Sequence, residues 1–201
     1  MNIILATRNK SKAAQIQATF AGSPFKVITL DETHIEGEVV ENGGSLHKNA
    51  RLKAAFAREK SNGKFWTMSE DTGIFINTLE GQPGVEAAYW GGKLTDIERM
   101  NYCLRQMEGK MDRSAKFETI AVLISPDGVE HSFSGEVQGT ILQLARCAPQ
   151  PKMPYSSVFQ PNGYTKTWAE MTIDEENAIS HRGKAFLQAR LLLESKLAVH
   201  V

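Results

Sequence analysis

Four short stretches of this chain carry side chains able to do chemistry. One is Glu70-Asp71, which follows the apolar run KFWTMS (64–69) and precedes Thr72-Gly73. Adjacent carboxylates suit Mg²⁺, a cation that prefers oxygen ligands and bridges to phosphates. One of them could also take a proton from an attacking water. An ordinary acidic turn is the competing reading of any lone Glu-Asp pair. Two further stretches put cations where a helix begins: Arg8, Lys10 and Lys12 in one, and His181, Arg182 and Lys184 after Ser180 in the other. The N-terminal end of a helix is partially positive, so such cations cost some tenths of a kcal/mol each, about 0.3–1 kcal/mol at most on the surface. Their presence at two starts fits bound anions held by free backbone N–H groups together with the basic side chains. The alternative is that the long side chains simply reach solvent. Thr7 and Asn9 add short polar groups suited to phosphate oxygens or a ribose. The fourth stretch, Asp31 to Glu41, holds five acids (Asp31, Glu32, Glu36, Glu38, Glu41) and no Lys or Arg.

The surrounding pattern predicts the elements that position these groups. NIILA (2–6) reads as a first strand, Lys10 to about Phe20 as a helix, and residues 25–30 as a second strand. The acidic stretch reads as a loop, Ser45 to about Lys60 as a helix, and 64–69 as a buried strand ending at Glu70-Asp71. FETIAVLIS (117–125), a Pro126-Asp127-Gly128 turn and 129–139 predict a hairpin. A stretch with four of the seven prolines, Pro149 to Pro161, reads as irregular, and a last helix begins near Ser180. Strands separated by helices, with one hairpin, predict an α/β or α+β mixed-sheet protein. A strand-end phosphate site adds weight to Glu70-Asp71, because ligands gather at the carboxyl ends of strands in such sheets. No G-x-x-x-x-G-K-[ST] run is present, which excludes a Walker-type phosphate loop.

Composition limits the remaining classes. The 201 residues carry 23 Lys+Arg and 23 Asp+Glu, so the surface as a whole is not built to grip nucleic acid or an acidic membrane. The three tryptophans (Trp66, Trp90, Trp168) do not alternate with basic residues, which argues against nucleic-acid binding. Cys103 and Cys147 form no C-x-x-C pair and fit reduced thiols better than a disulfide framework. No apolar run approaches the ~18 residues of a membrane span, and the N-terminus reads as a strand, not a signal peptide. The expectation is one cytoplasmic domain spanning 1–201.

LATRNKSK (5–12), SLHKNARLKA (45–54), SEDTGIFINTLEGQPGV (69–85) and FQPNGYTKTWAEMTIDEENAISHR (159–182) occur in that order. Together they resemble the inosine triphosphate pyrophosphatase (Ham1-like) family, whose members hydrolyse non-canonical purine nucleoside triphosphates to monophosphate and pyrophosphate. The resemblance implies an α/β fold: an elongated mixed β-sheet with flanking helices, in two lobes around a central nucleotide cleft. It also implies Mg²⁺ (or Mn²⁺), attack of water at the α-phosphorus, and a homodimer. Matched residue by residue, Thr7, Asn9 and Lys12 fall on the first phosphate-binding motif, with Lys12 also expected to act in catalysis. Lys48 stands where some members have a lysine and others a metal-binding glutamate. Asp71 matches the acid that acts in catalysis or metal binding, with Glu70 beside it and Thr72 next to the substrate. For a second metal-binding acid the acidic loop offers Glu36, Glu38 and Glu41, of which Glu38 or Glu41 is favoured over Glu36 and Glu41 is the candidate. Ser180, His181 and Arg182 match the motif that reads the purine's oxygen-bearing edge.

The chain also departs from the family pattern. An aromatic-Gly-aromatic-Asp-Pro stretch that holds the base is replaced by Met153-Pro154-Tyr155-Ser156-Ser157. Tyr155 and Ser156 are the expected base contacts there, with Ser156 in place of the family aspartate. Arg146 is the one candidate for an arginine of the preceding loop. Glu176 replaces a lysine, and Ala88 or Tyr89 a basic residue. Either nearby lysines (Lys152, Lys166, Lys184) compensate, or the preferred base or number of phosphates has changed. The expected function is therefore a Mg²⁺-dependent nucleoside triphosphate pyrophosphatase. The alternatives are a related hydrolase acting on modified pyrimidine nucleotides or on fewer phosphates, and a weakened nucleotide-binding protein.

Overall fold

The strand that carries Glu70 and Asp71 organises the molecule. In a computed structural model, which describes residues 1–42 and 44–198, β3 runs Trp66–Ile76. It pairs antiparallel with β5 (Ser114–Ile124) from Thr67↔Ile124 to Ile76↔Ala115. The carboxylates therefore sit in mid-strand, not at a strand end as the sequence suggested. Alternation simply resumes beyond them in Ile74 and Ile76, and Gly73 permits it: a Cβ there would stand 2.8 Å from the Gly84 carbonyl of β4 (Pro83–Gly84).

The other neighbour of β3 explains why its middle is open. Short β1 (Asn2–Leu5) pairs parallel with β3 only as far as Leu5↔Met68. Residues 70–72 therefore project just past the carboxyl end of β1, the position at which ligands enter such sheets. The full order is β2-β1-β3-β5-β6-β7, with β4 beside β3. Here β2 is Lys26–Thr29, β6 is Glu130–Ile141 and β7 is Phe159–Pro161. Only the β2-β1-β3 part is parallel, and the mixed sheet expected from the sequence is what forms.

Helices cover both faces. On one face lie α1 (Lys10–Thr19) and α6 (His181–Ala198), and on the other α3 (Leu46–Lys60). The first face has two apolar centres. One gathers Ile3, Leu5, Ile16, Met68, Phe186 and Leu193; the other gathers Ile74, Phe117, Phe159 and Trp168 with Met100, Cys103 and Met107 around α4 (Asp96–Gln106). Glu70 and Thr72 occupy the polar interval between Met68 and Ile74. Each fully buried large apolar side chain contributes about 1.5–3 kcal/mol, so the two centres hold rigidly a strip of strand that contributes little itself.

Three helices were not expected. The acidic stretch opens with α2 (Leu30–Thr33), whose Thr29 and Glu32 form a reciprocal cap. The same T-x-x-E signature starts α4 (Thr95, Glu98) and α5, Ile173–Ile179 (Thr172, Glu175). A glutamate three residues after a threonine was the readable signal in each case. Among the described residues no helix is long and apolar enough to cross a membrane.

Candidate active site

A cavity of about 580 Å³ opens over the middle of β3, lined by residues of β1–α1, the 37–41 loop, α3, the 85–99 segment and Lys152 and Pro154. Because successive strand residues point to opposite faces, Glu70 and Asp71 do not act as a pair on one side. This corrects the expectation that they share a cation. Asp71 faces α3, where Asn49 Nδ2 donates to its Oδ2 at 2.9 Å and Lys53 Nζ lies 3.7 Å from Oδ1. Glu70 faces α1 and α6. Lys12 Nζ is 2.5 Å from its Oε1, and the Thr72 hydroxyl donates to its other oxygen.

The environments drive these two acids apart. Burial pushes the Asp71 carboxyl up; Lys53 opposes this, Glu70 adds to it, and the outcome is a value of about 6. Burial also acts on Glu70, but Lys12, then Arg182 and Lys53, outweigh it and hold the carboxyl well below the usual carboxylate range. Glu70 is thus a fixed anion, while Asp71 is poised to exchange a proton near neutrality.

Lys53 was missed by the sequence reading, which named Lys48. Both are on α3, but Lys48 is exposed and does not line the cavity. Five residues further along α3, Lys53 turns inward: its Nζ lies 3.1 Å from Glu41 and 3.7 Å from Asp71. Burial lowers its affinity for a proton, yet Asp71, Glu70 and Glu41 more than restore it, and the ammonium is held charged. A lysine spaced one face-turn from Asn49, which also reaches Asp71, is the signal that could have found it. The same geometry selects Glu41 among the loop acids. Glu38 also lines the cavity, whereas Glu36 does not.

The basic start of α1 is rearranged relative to expectation. Arg8 is not free for an anion: its guanidinium bonds Asp31 at 2.6 Å and the carbonyls of Ile35 and Gly37, tethering the acidic loop. Asn9 caps the helix, its Oδ1 accepting from the N–H groups of Ser11 and Lys12, and Thr7 Oγ1 accepts from Asn9 N–H. Lys10 is exposed. Thr7, Arg8, Asn9 and Lys12 line the cavity.

The base-reading candidates lie deeper than the cavity wall. Tyr155 is buried, its hydroxyl donating to the Ala87 carbonyl at 2.8 Å. The Ser156 hydroxyl is also buried and accepts from Gln150 N–H. Ser180 caps α6 through Gly183 N–H. His181 is stacked on Phe117 with ring centroids 4.9 Å apart. A Cβ at Gly135 would stand 2.1 Å from the His181 carbonyl, so that glycine is what lets α6 start against β6. Burial, then Arg182, keeps the His181 imidazole neutral, well below its ordinary value. Arg182 bonds Gln15 Oε1, and its Nη2 lies 3.5 Å from Thr72 Oγ1. None of these five lines the cavity, whereas Thr72 does. Arg146 lies elsewhere, bonded to Thr165 and Gln160. Lys166 pairs with Glu175 and Lys184 reaches the Glu136 carbonyl, so of the three candidate compensating lysines only Lys152 borders the cavity.

A divalent cation can be tested against the donors present. Among the described residues no group of three or more His, Cys, Asp or Glu side chains is placed to hold a metal. Two carboxylates, Glu41 and Asp71, do converge on one cationic position, which the Lys53 ammonium occupies. Two carboxylates with substrate phosphates completing the shell is the usual way Mg²⁺ is held, so the residues fit such a cation.

Comparison with known proteins agrees with this geometry. Residues 3–191 match the model of the Ham1 family. A dITP/XTP pyrophosphatase of Caldanaerobacter subterraneus is 36% identical over 200 residues, 98% of each chain. One of Deinococcus deserti is 34% identical over 183 residues, covering 91% of this chain and 85% of its own. Among solved structures, a HAM1 protein from Coxiella burnetii superposes with a TM-score of 0.84 at 30% identity, over 97% of this chain and 99% of that one. The Staphylococcus aureus Ham1 protein gives 0.81 at 26% identity, over 98% and 100%.

Proposed function

The chain belongs to the Ham1 family, and from that premise we propose that it is a nucleotide pyrophosphatase acting on non-canonical purine nucleoside triphosphates in the cytoplasm, with Mg²⁺ and as a homodimer. The observation that carries the reading is Asp71: a carboxylate held by Asn49, paired with Lys53, raised to about 6 and facing a cavity bordered by Lys12.

In this mechanism the triphosphate enters the cavity with Lys12, Thr7 and Asn9 at its phosphates. Asp71 Oδ accepts a proton from a water whose oxygen forms a bond to the α-phosphorus. The bond from that phosphorus to the bridging oxygen breaks, giving the monophosphate and pyrophosphate. A Mg²⁺ held by Glu41 and Asp71 would supply positive charge to the phosphate oxygens as the leaving group develops. Until that cation binds, Lys53 keeps Asp71 and Glu41 close despite their repulsion, and Glu70 holds Lys12 in place as a positioning residue. Fixed charges of this kind need no reorganisation during the reaction.

The test is pyrophosphate release from a nucleotide panel with Mg²⁺. Release from inosine-type triphosphates is expected, with loss in Asp71→Asn. No release from any nucleotide, or full release by that variant, overturns the reading.

A further inference from the structure

Five basic side chains border the cavity, and four of them are already engaged. Arg8 binds Asp31, Lys12 binds Glu70, and Lys53 lies between Glu41 and Asp71. The Arg99 guanidinium donates to the carbonyls of Trp90, Gly92 and Leu94. The fifth, Lys152, is exposed, and among the described residues no acceptor meets its ammonium. A polyanion entering the cavity can take Lys152 without breaking an ion pair.

The turn that carries Lys152 fixes where this charge stands. Met153 N–H donates to the Gln150 carbonyl at 2.9 Å, with Pro151 second in the turn and Lys152 third at φ 59°. A positive φ at that position calls for glycine or asparagine, and a lysine is strained in a conformation that glycine adopts freely. The turn is pinned from two sides of the cavity. At the start of α1, Asn9 Nδ2 donates to the Lys152 carbonyl at 3.3 Å and Ser11 Oγ to the Pro151 carbonyl at 3.0 Å. At the start of α4, Asp96 Oδ2 accepts from Lys152 N–H at 2.7 Å. Strain of this kind persists where the surrounding contacts over-determine it, as these three hydrogen bonds do. All three use the backbone of the turn, so none of them needs a lysine at position 152.

We propose that Lys152 is a substrate-binding residue that takes the phosphate chain as the nucleotide enters, its strained turn holding the ammonium beside the start of α1. This rests on the pyrophosphatase reading and adds a cation to its phosphate site.

The experiment measures binding of inorganic pyrophosphate by calorimetry with Mg²⁺, and kinetics with ITP, in the unmodified chain and in Lys152→Met, Lys152→Gly and Lys152→Arg. In Lys152→Met, pyrophosphate affinity should fall and KM for ITP should rise by about tenfold each, the scale of one charged contact. Its kcat should change by less than about twofold. The loss should shrink as salt is raised, because an exposed charge is screened. Lys152→Gly relieves the backbone and should still bind as weakly as the Met variant, while Lys152→Arg should stay within about threefold of the unmodified chain. Unchanged affinity and KM in Lys152→Met overturn the proposal. Normal binding by Lys152→Gly does the same, because turn geometry would then be the whole role of the residue. Pyrophosphate that does not bind the unmodified chain overturns it as well. Binding is read without turnover: if no nucleotide is hydrolysed while pyrophosphate binds and Lys152→Met weakens it, the pyrophosphatase reading falls and the phosphate contact of Lys152 stands.

Discussion

The two sides of the candidate site differ in how complete they are. Around Asp71, no buried polar side-chain atom of Glu41, Asn49, Lys53 or Asp71 lacks a partner, and the charges alternate acid, base, acid. Around Glu176, six buried atoms have none. The first region turns its charges toward the cavity; the second is packed behind it, where Gln15 of α1, Glu176 of α5 and Arg182 of α6 meet. Change on the Asp71 side should therefore alter rate with every substrate, and change on the Glu176 side should alter stability first.

The largest expected effect separates rate from stability. Asp71→Asn removes the proton acceptor and should lower kcat/KM by about 10³-fold or more, whatever the base. The same variant should be more stable at pH 7. Asp71 is raised from 3.8 to about 6 in the folded chain, so its ionisation opposes folding. That penalty is absent below pH 4, grows as pH rises through 4–6, and is fully present above 6. The amide removes it, a gain on the order of 2 kcal/mol before relaxation, measurable by denaturant unfolding at pH 7 and pH 4. A loss of both activity and stability would mean that Asp71 is structural.

Lys53→Met comes next. It leaves Asp71 and Glu41 facing each other without their shared cation, so Asp71 should rise further. We expect a loss of about 10²-fold and a displacement of the acid limb of the kcat/KM profile. In the unmodified chain that limb should fall on the acid side, below the metal-free value of about 6 because bound Mg²⁺ favours the carboxylate, since protonated Asp71 neither accepts a proton nor holds a cation. In the variant it should fall at a higher pH. A profile that does not move would place the working base elsewhere.

Lys12→Met tests the opposite face of β3. It removes a phosphate contact and leaves Glu70 buried without its nearest cation, which should cost about 3 kcal/mol of stability. Adding Glu70→Gln should restore most of the stability and little of the activity. Recovery of both would mean that Lys12 serves only Glu70.

How much of this was legible depended on whether the signal was local. The hairpin, the mixed sheet and the helix starts followed from alternation, turn residues and caps. Glu70 and Asp71 were visible as a pair but misplaced, because the end of β1 at Leu5, not the end of β3, creates the opening. Periodicity along β3 cannot reveal where a neighbouring strand stops. Arg8 read as an anion ligand because its partner, Asp31, depends on how the chain folds back. Glu176 was recognisable as a departure, but its burial beside Gln15 joins residues 161 positions apart.

The smallest expected effect is the sharpest check on the helix register. Lys48 and Lys53 are both lysines of α3, and a sequence match alone favoured Lys48. Five residues at 3.6 per turn carry a side chain about 140° around the helix, enough to move it from the cavity to solvent. Lys48 is exposed and outside the cavity, whereas Lys53 sits between Glu41 and Asp71. Lys48→Ala should change kcat/KM by less than about twofold and stability by less than about 0.5 kcal/mol, as for other exposed substitutions. A tenfold loss would mean that α3 presents Lys48 to the substrate during turnover, a rotation that would withdraw Lys53 from Asp71. The same assay on Lys53→Met would then show the weaker effect of the two, reversing the order expected here.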